Sequence, residues 1–179
     1  MDPRKTLERF DRFLTDLGLE LDAVVVGGAA LALLGVVSRT TRDCDILHPA
    51  LAPQIRRAAA QFALASRAIG EALDDDWLND GPVTLGPLLP EGWQARTEPV
   101  FVGRAIRLRS LGRLDLLRSK VFALCDRGID LGDCLALAPT AHELADILPW
   151  LVDQDANPDW PTHARTVVAD LSQRLGHGL

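Results

Sequence analysis

Residues 23–31 read Ala-Val-Val-Val-Gly-Gly-Ala-Ala-Leu, and residues 39–47 read Arg-Thr-Thr-Arg-Asp-Cys-Asp-Ile-Leu. The first stretch is a β-branched run that meets two glycines and passes into small residues, which reads as a buried strand, a tight turn and a helix over Ala29–Leu34. The second predicts a strand over Thr40–Leu47, stopped by Pro49. Side chains two apart on a strand share a face, so Asp43 and Asp45 are expected to project together while Cys44 turns to the core. Two carboxylates that close repel, which raises a pKa or draws in a cation. Mg²⁺ suits such a pair, because it takes one or two carboxylates and completes its shell with substrate phosphates. Gly27 and Gly28 would let backbone amides approach a phosphate at the start of the helix. Arg39 and Arg42 bring two cations to the acids, and simple ion pairing with Asp43 is the plain alternative. No Lys-Ser/Thr follows the glycines as a P-loop needs, and Gly-Gly-Ala-Ala-Leu-Ala is not the dinucleotide fingerprint.

Around this centre the chain alternates in character. Leu7, Phe10, Phe13, Leu14 and Leu17 recur at helical spacing before Gly18. Ala50–Ile69 is an Ala-rich helix pattern closed by Gly70. From Glu71 to Trp93, Asp74-Asp75-Asp76, Asn79-Asp80-Gly81-Pro82 and further prolines predict loops and turns, with Trp77 a candidate for stacking on a base. Val100–Leu108 alternates and predicts one strand. Leu114, Leu117, Val121 and Leu124 form a helical stripe ended by Gly128, and Thr140 with Glu143 has capping-box spacing ahead of a helix that Pro149 bends or ends. Thr162–Leu175 is a final helix. The expected organisation is an α/β core over 1–111 and a helical subdomain over 112–179 packed on it as one compact unit.

Composition sets the outer limits. The 179 residues are 47% hydrophobic and 25% charged, with net charge −6, an ordinary globular balance that excludes a disordered or fibrous chain. The acidic balance argues against a broad nucleic-acid-binding surface. Cys44, Cys125 and Cys134 have no paired or metal-ligand spacing, which fits reduced thiols in a cytoplasmic protein. Ala23–Ser38, the longest uncharged stretch, has 16 residues and three glycines, below the roughly 18–20 that span a bilayer.

Gly27-Gly28-Ala29-Ala30-Leu31 followed by Arg39–Leu47, with Asp43-Cys44-Asp45 at its centre, resembles the DNA polymerase beta-like nucleotidyltransferases, and most of all the AbiEii-like and minimal nucleotidyltransferases of bacterial toxin–antitoxin systems. Leu116–Leu124 with Lys120, then Arg127 and Asp130-Leu131-Gly132-Asp133, is similar to the lysine, arginine and aspartate helical motif of that group. The resemblance spans roughly Ala23–Leu137. It implies an α+β fold, a mixed sheet flanked by helices with a helical C-terminal subdomain, and transfer of a nucleotidyl group from an NTP to an acceptor that is a tRNA, a protein or a small molecule. By the same resemblance Asp43 and Asp45 are metal ligands for Mg²⁺, Gly27 and Gly28 with Arg39 and Arg42 bind the nucleotide, Lys120 contacts phosphate or base, and Asp130 is the downstream acid. Lys120 is expected beside the apolar stripe, its ammonium emerging at the rim of the sheet into the same cleft as Asp43 and Asp45, with Asp130 or Asp133 lining the other wall. A cognate toxin or antitoxin partner is a further implication. The family's third carboxylate has no counterpart on the Val100–Arg109 segment, leaving Glu98, Asp115 or Asp130 to substitute. The same loss fits a catalytically silent nucleotide-binding or antitoxin-type protein.

Overall fold

The computed structural model describes residues 1–177. The chain divides into two compact units, Met1–Pro87 with Gln94–Leu111, and Leu88–Trp93 with the chain from Gly112 onward. In the first unit, β1 (Leu21–Val26), β2 (Cys44–His48), β3 (Leu78–Asn79), β4 (Glu98–Val102) and β5 (Ile106–Ser110) form one sheet in the order β3-β2-β1-β5-β4. β1 runs antiparallel to β2 and parallel to β5, β3 is parallel to β2, and β4 is antiparallel to β5. The result is the expected mixed α/β architecture. One face of the sheet is covered by α1 (Pro3–Leu17), α2 (Gly27–Leu33) and α3 (Pro53–Ala68). Leu7, Phe10 and Leu14, then Ala29, Ala30 and Leu33, then Ile55, Ala58 and Phe62 close on Val25, Ile46 and Ile106. Leu17, placed on the same stripe by its spacing, is 47% exposed at the end of α1.

Three expectations are corrected by hydrogen bonds between distant parts of the chain. β2 begins at Cys44, not Thr40. The Thr41 N–H donates to the Met1 carbonyl at 3.0 Å and its hydroxyl donates to the Asp43 carbonyl at 3.2 Å, so residues 40–43 are held outside the ladder. Val100–Leu108 is not one strand but the end of β4, a turn and the start of β5. Asp11 of α1 accepts from the backbone N–H groups of Arg104, Ala105 and Ile106 at 3.1, 2.9 and 2.8 Å, and that carboxylate gathers the chain into a hairpin. Gly103 marks the turn, since a Cβ there would collide with the Asp11 carboxylate. Trp77, finally, is fully buried. Its ring meets Phe10 edge-on at 5.1 Å between centroids and its indole N–H donates to the Ala59 carbonyl at 3.1 Å, so it forms part of the core and has no face to offer a base.

The second unit is helical: α4 (Arg113–Arg127), α5 (Leu131–Leu137), α6 (Ala141–Val152) and α7 (Trp160–Arg174). Residues Leu88–Trp93 join it, and the Trp150 indole donates to the Leu88 carbonyl at 2.8 Å. Leu116, Leu117 and Val121 are buried, whereas Leu114 and Leu124 are half-buried, so the buried face of α4 is rotated from the predicted stripe toward Lys120. The capping box forms as its spacing predicts, with the Glu143 N–H donating to Thr140 Oγ1 at 3.1 Å and the Thr140 N–H to Glu143 Oε2 at 2.9 Å. Arg113 grips the same carboxylate through two nitrogens and holds Glu143 down at about 2. Pro149 does not end α6, which runs on to Val152. Among the described residues no helix is long and apolar enough to cross a membrane.

Asp11 is only 8% exposed. Burial alone would raise its pKa, but the three N–H bonds and the Arg104 charge outweigh it and hold the carboxyl below its ordinary value. Asp11→Ala is therefore expected to cost about 3 kcal/mol, the size of charged hydrogen bonds lost to buried donors. Because the native pKa is depressed, the stabilisation is complete above about pH 4 and fades as pH falls through the lower native value. Urea denaturation of both proteins at pH 7 and pH 3 checks this, with the gap expected to be smaller at the lower pH.

Candidate functional site

The sequence directs β1 straight into α2, and the joint is sterically demanding. Gly27 has φ +71°, a conformation L side chains rarely adopt, and a Cβ on it would lie 2.5 Å from Asp45 Oδ2. Val26 and Asp45 are register partners on β1 and β2. The Asp45 carboxylate thus lies against the bare Cα of Gly27, an approach open only to glycine. A Cβ on Gly28 would meet Thr41 Oγ1 at 3.0 Å and lie 3.8 Å from Arg39 Nη2. Gly27, Gly28, Asp45 and the Arg39 guanidinium are therefore neighbours. α2 has seven residues, and the site rests on this open backbone, not on a helix dipole.

The two acids differ in their place relative to β2. Asp45 stands on β2, half-buried, on the sheet face opposite the core; Asp43 precedes the strand, half-buried, and Arg42 beside it is exposed. Strand pairing therefore covers Asp45 but not Asp43, which lies one residue before the strand. Cys44 between them does point into the core, fully buried, and burial first, then the charges of Asp45 and Asp43, push its thiol far up. One residue of the site was not read from the sequence. The Asn79 amide donates to Asp45 Oδ1 at 3.0 Å. Asn79 belongs to a two-residue strand, too short for periodicity to reveal, inside a stretch that reads as a turn.

Among the described residues no group of three or more His, Cys, Asp or Glu side chains is placed to hold a metal ion. Two carboxylates fit Mg²⁺ that arrives with phosphates to complete its shell, and do not fit an all-protein cage.

Lys120 and Asp130 belong to the helical unit. Lys120 is 6% exposed, not at a rim, and its ammonium donates to Asp130 Oδ1 at 3.0 Å and Asp133 Oδ2 at 2.7 Å. Burial lowers its pKa, but the two aspartates outweigh that and leave it above the ordinary lysine value. The cluster is intact through neutral pH and is lost only as pH rises through the raised native value. Arg127 reaches Asp130 at 3.4 Å from an exposed position. Of the alternative acids, Glu98 is exposed on β4, and Asp115 is 1% exposed with Arg118 2.8 Å away. Burial pushes Cys125 to about 11 and Cys134 to about 12, so neither supplies a thiolate nucleophile at neutral pH.

The site thus consists of a glycine pair at a strand–helix joint, one acid on the neighbouring strand β2 and a second acid just before it. Residues 5–136 match the family described as "nucleotidyltransferase of unknown function (DUF6036)", and the chain belongs to it. A crystal structure of an antigenic nucleotidyltransferase-like protein from Paracoccidioides brasiliensis is similar, with 16% identity and a TM-score of 0.49 over 97% of this chain and 88% of that one. No curated protein matches the chain.

The two glycines are expected to respond differently to alanine. Gly27→Ala costs about 1–2 kcal/mol from the left-handed backbone alone, and more from displacing Asp45. Gly28→Ala is close to neutral, because the better helix propensity of alanine, about 0.8–1 kcal/mol, offsets a small shift of Thr41. Denaturant midpoints of the two variants order them. In the helical unit, Lys120→Met leaves two aspartates without their buried cation and is expected to cost about 3–5 kcal/mol, read from the same measurement.

Proposed function

We propose that this protein is a Mg²⁺-dependent nucleotidyltransferase, moving a nucleotidyl group from an NTP to an acceptor, of the minimal, AbiEii-like kind found in toxin–antitoxin systems. The observation that carries the reading is the Asp45 carboxylate against the bare Cα of Gly27, with Gly28 close to Thr41 and Arg39. Asp43 and Asp45 would hold the ion, which when bound neutralises charge on the triphosphate and on the leaving pyrophosphate. Gly27 and Gly28 would offer backbone amides to the phosphate oxygens, and Arg39 and Arg42 would add positive charge. The acceptor hydroxyl oxygen forms a bond to the α-phosphorus, the bond from that phosphorus to pyrophosphate breaks, and the hydroxyl proton goes to a base. Lys120 and Asp130 enter this proposal through the resemblance alone. The acceptor stays within the three classes named above, tRNA, protein or small molecule, and a cognate toxin or antitoxin is the proposed protein partner.

A silent nucleotide-binding or antitoxin-type protein is the second reading, and one observation favours it. The outward positions of β5 are Arg107 and Arg109, so this strand presents no acid to activate an acceptor. Arg109 is instead tied to Thr97, donating to its hydroxyl and carbonyl at 2.6 Å each.

Incubation with each α-³²P-labelled NTP and cell lysate, with Mg²⁺ or with EDTA, tests the proposal. Label is expected to move to an acceptor only with Mg²⁺, and Asp45→Asn and Asp43→Asn are each expected to reduce transfer by at least about 10²-fold, the size of one lost electrostatic contact at a reacting centre. Mg²⁺-dependent NTP binding without any transfer would select the silent reading.

A further inference from the structure

We propose that Asn79 is the positioning residue for Asp45: its side-chain amide, locked by the Gly81 backbone, sets the orientation in which the Asp45 carboxylate is presented to a divalent cation. The inference rests on the metal-binding reading of Asp45 given above.

Both ends of the Asn79 amide are committed. Oδ1 accepts from the Gly81 N–H at 2.9 Å, and Nδ2 donates to Asp45 Oδ1 at 3.0 Å. A backbone N–H can only donate and an ionised carboxylate can only accept. Turning the amide over would set NH₂ against N–H and oxygen against oxygen, so the two partners together permit one orientation. β3 pairs with β2 such that Asn79 and Asp45 are register partners, which places the two side chains on the same face of adjacent strands. The turn after β3 is itself anchored, since Asp80 Oδ2 accepts from the Leu51 N–H at 2.8 Å and from Arg56 Nη2 at 2.5 Å. The order of support runs from Asp80 to the Gly81 turn, to Asn79, to Asp45. Oδ1 is engaged by Asn79 and Oδ2 lies against Gly27, so Asn79 and Gly27 both bear on the direction of the carboxylate plane. A partner that fixes a ligand's direction in this way typically changes metal affinity by 10–100-fold when removed. A β3 of only two residues suits that role, since it is just long enough to bring one side chain to the ladder beside Asp45.

The test is calorimetric titration of Mg²⁺ into the protein saturated with the non-transferable analogue α,β-methylene-ATP, for wild type, Asn79→Ala, Asn79→Leu and Asp45→Asn, with folding checked by thermal melts. Asn79 is half-buried, so both of its variants are expected to fold. Their Mg²⁺ affinity is expected to fall about 10–100-fold. In transfer assays the Mg²⁺ concentration for half-maximal rate is expected to rise while the rate at saturating Mg²⁺ stays near wild type, a split that a general loss of structure does not produce. Unchanged Mg²⁺ affinity in both folded Asn79 variants, with Asp45→Asn losing it, overturns the positioning role and leaves the metal reading standing. If wild type itself takes up no Mg²⁺ with the analogue, the metal reading falls and this inference falls with it.

Discussion

The site depends on one close approach, a carboxylate oxygen of β2 lying against a Cα that has no side chain. Gly27 is left-handed and Asp45 occupies the volume a Cβ would need, so two independent constraints, backbone sign and free space, demand glycine at one position. The contact joins elements in the order function needs them. It lies where α2 starts, and it brings an acid beside half-buried glycine backbone.

Charges in this protein are settled locally and in small groups. Asp11 is satisfied by three backbone N–H groups, Lys120 by Asp130 and Asp133, Glu143 by Arg113 and Thr140. Each group organises a segment: a hairpin turn, the α4–α5 corner, the start of α6. This matters for reading function, because a buried lysine between two aspartates meets the energetic demands of folding as well as those of catalysis. Position and perturbed charge alone do not separate those demands, and the functional reading is carried by Asp45 and the glycines, where two constraints on one glycine meet an acid on the neighbouring strand.

The sheet also records a departure. Polymerase beta-like enzymes are expected to present a third acid, and here β5 turns Arg107 and Arg109 outward, with Arg109 secured to Thr97. A secured arginine in that row reverses the sign of charge available on the strand. The two readings proposed above differ in turnover, not in fold.

Local pattern by itself determined the elements built on short-range chemistry. The strand–Gly-Gly–helix joint, α1 ended by Gly18, the α3 helix, the Thr140–Glu143 capping box and the burial of Cys44 all follow from residue spacing and backbone preference. The likeness to nucleotidyltransferases was legible too, because Gly27-Gly28 and Asp43-Cys44-Asp45 are close in sequence. What only the tertiary structure decided involves partners far apart along the chain. Asp11 folds residues 103–106 into a turn from more than ninety residues away, while local alternation alone reads as a continuous strand. Thr41 is drawn to Met1 and out of β2, which removes Asp43 from the strand. Trp77 is enclosed by Phe10 and Phe62. Asn79 reaches Asp45 through a two-residue strand whose pairing, not its composition, makes it part of the site. Periodicity reports a residue's neighbours along the chain, whereas a hydrogen bond across the fold depends on where the whole core has brought its donor and acceptor.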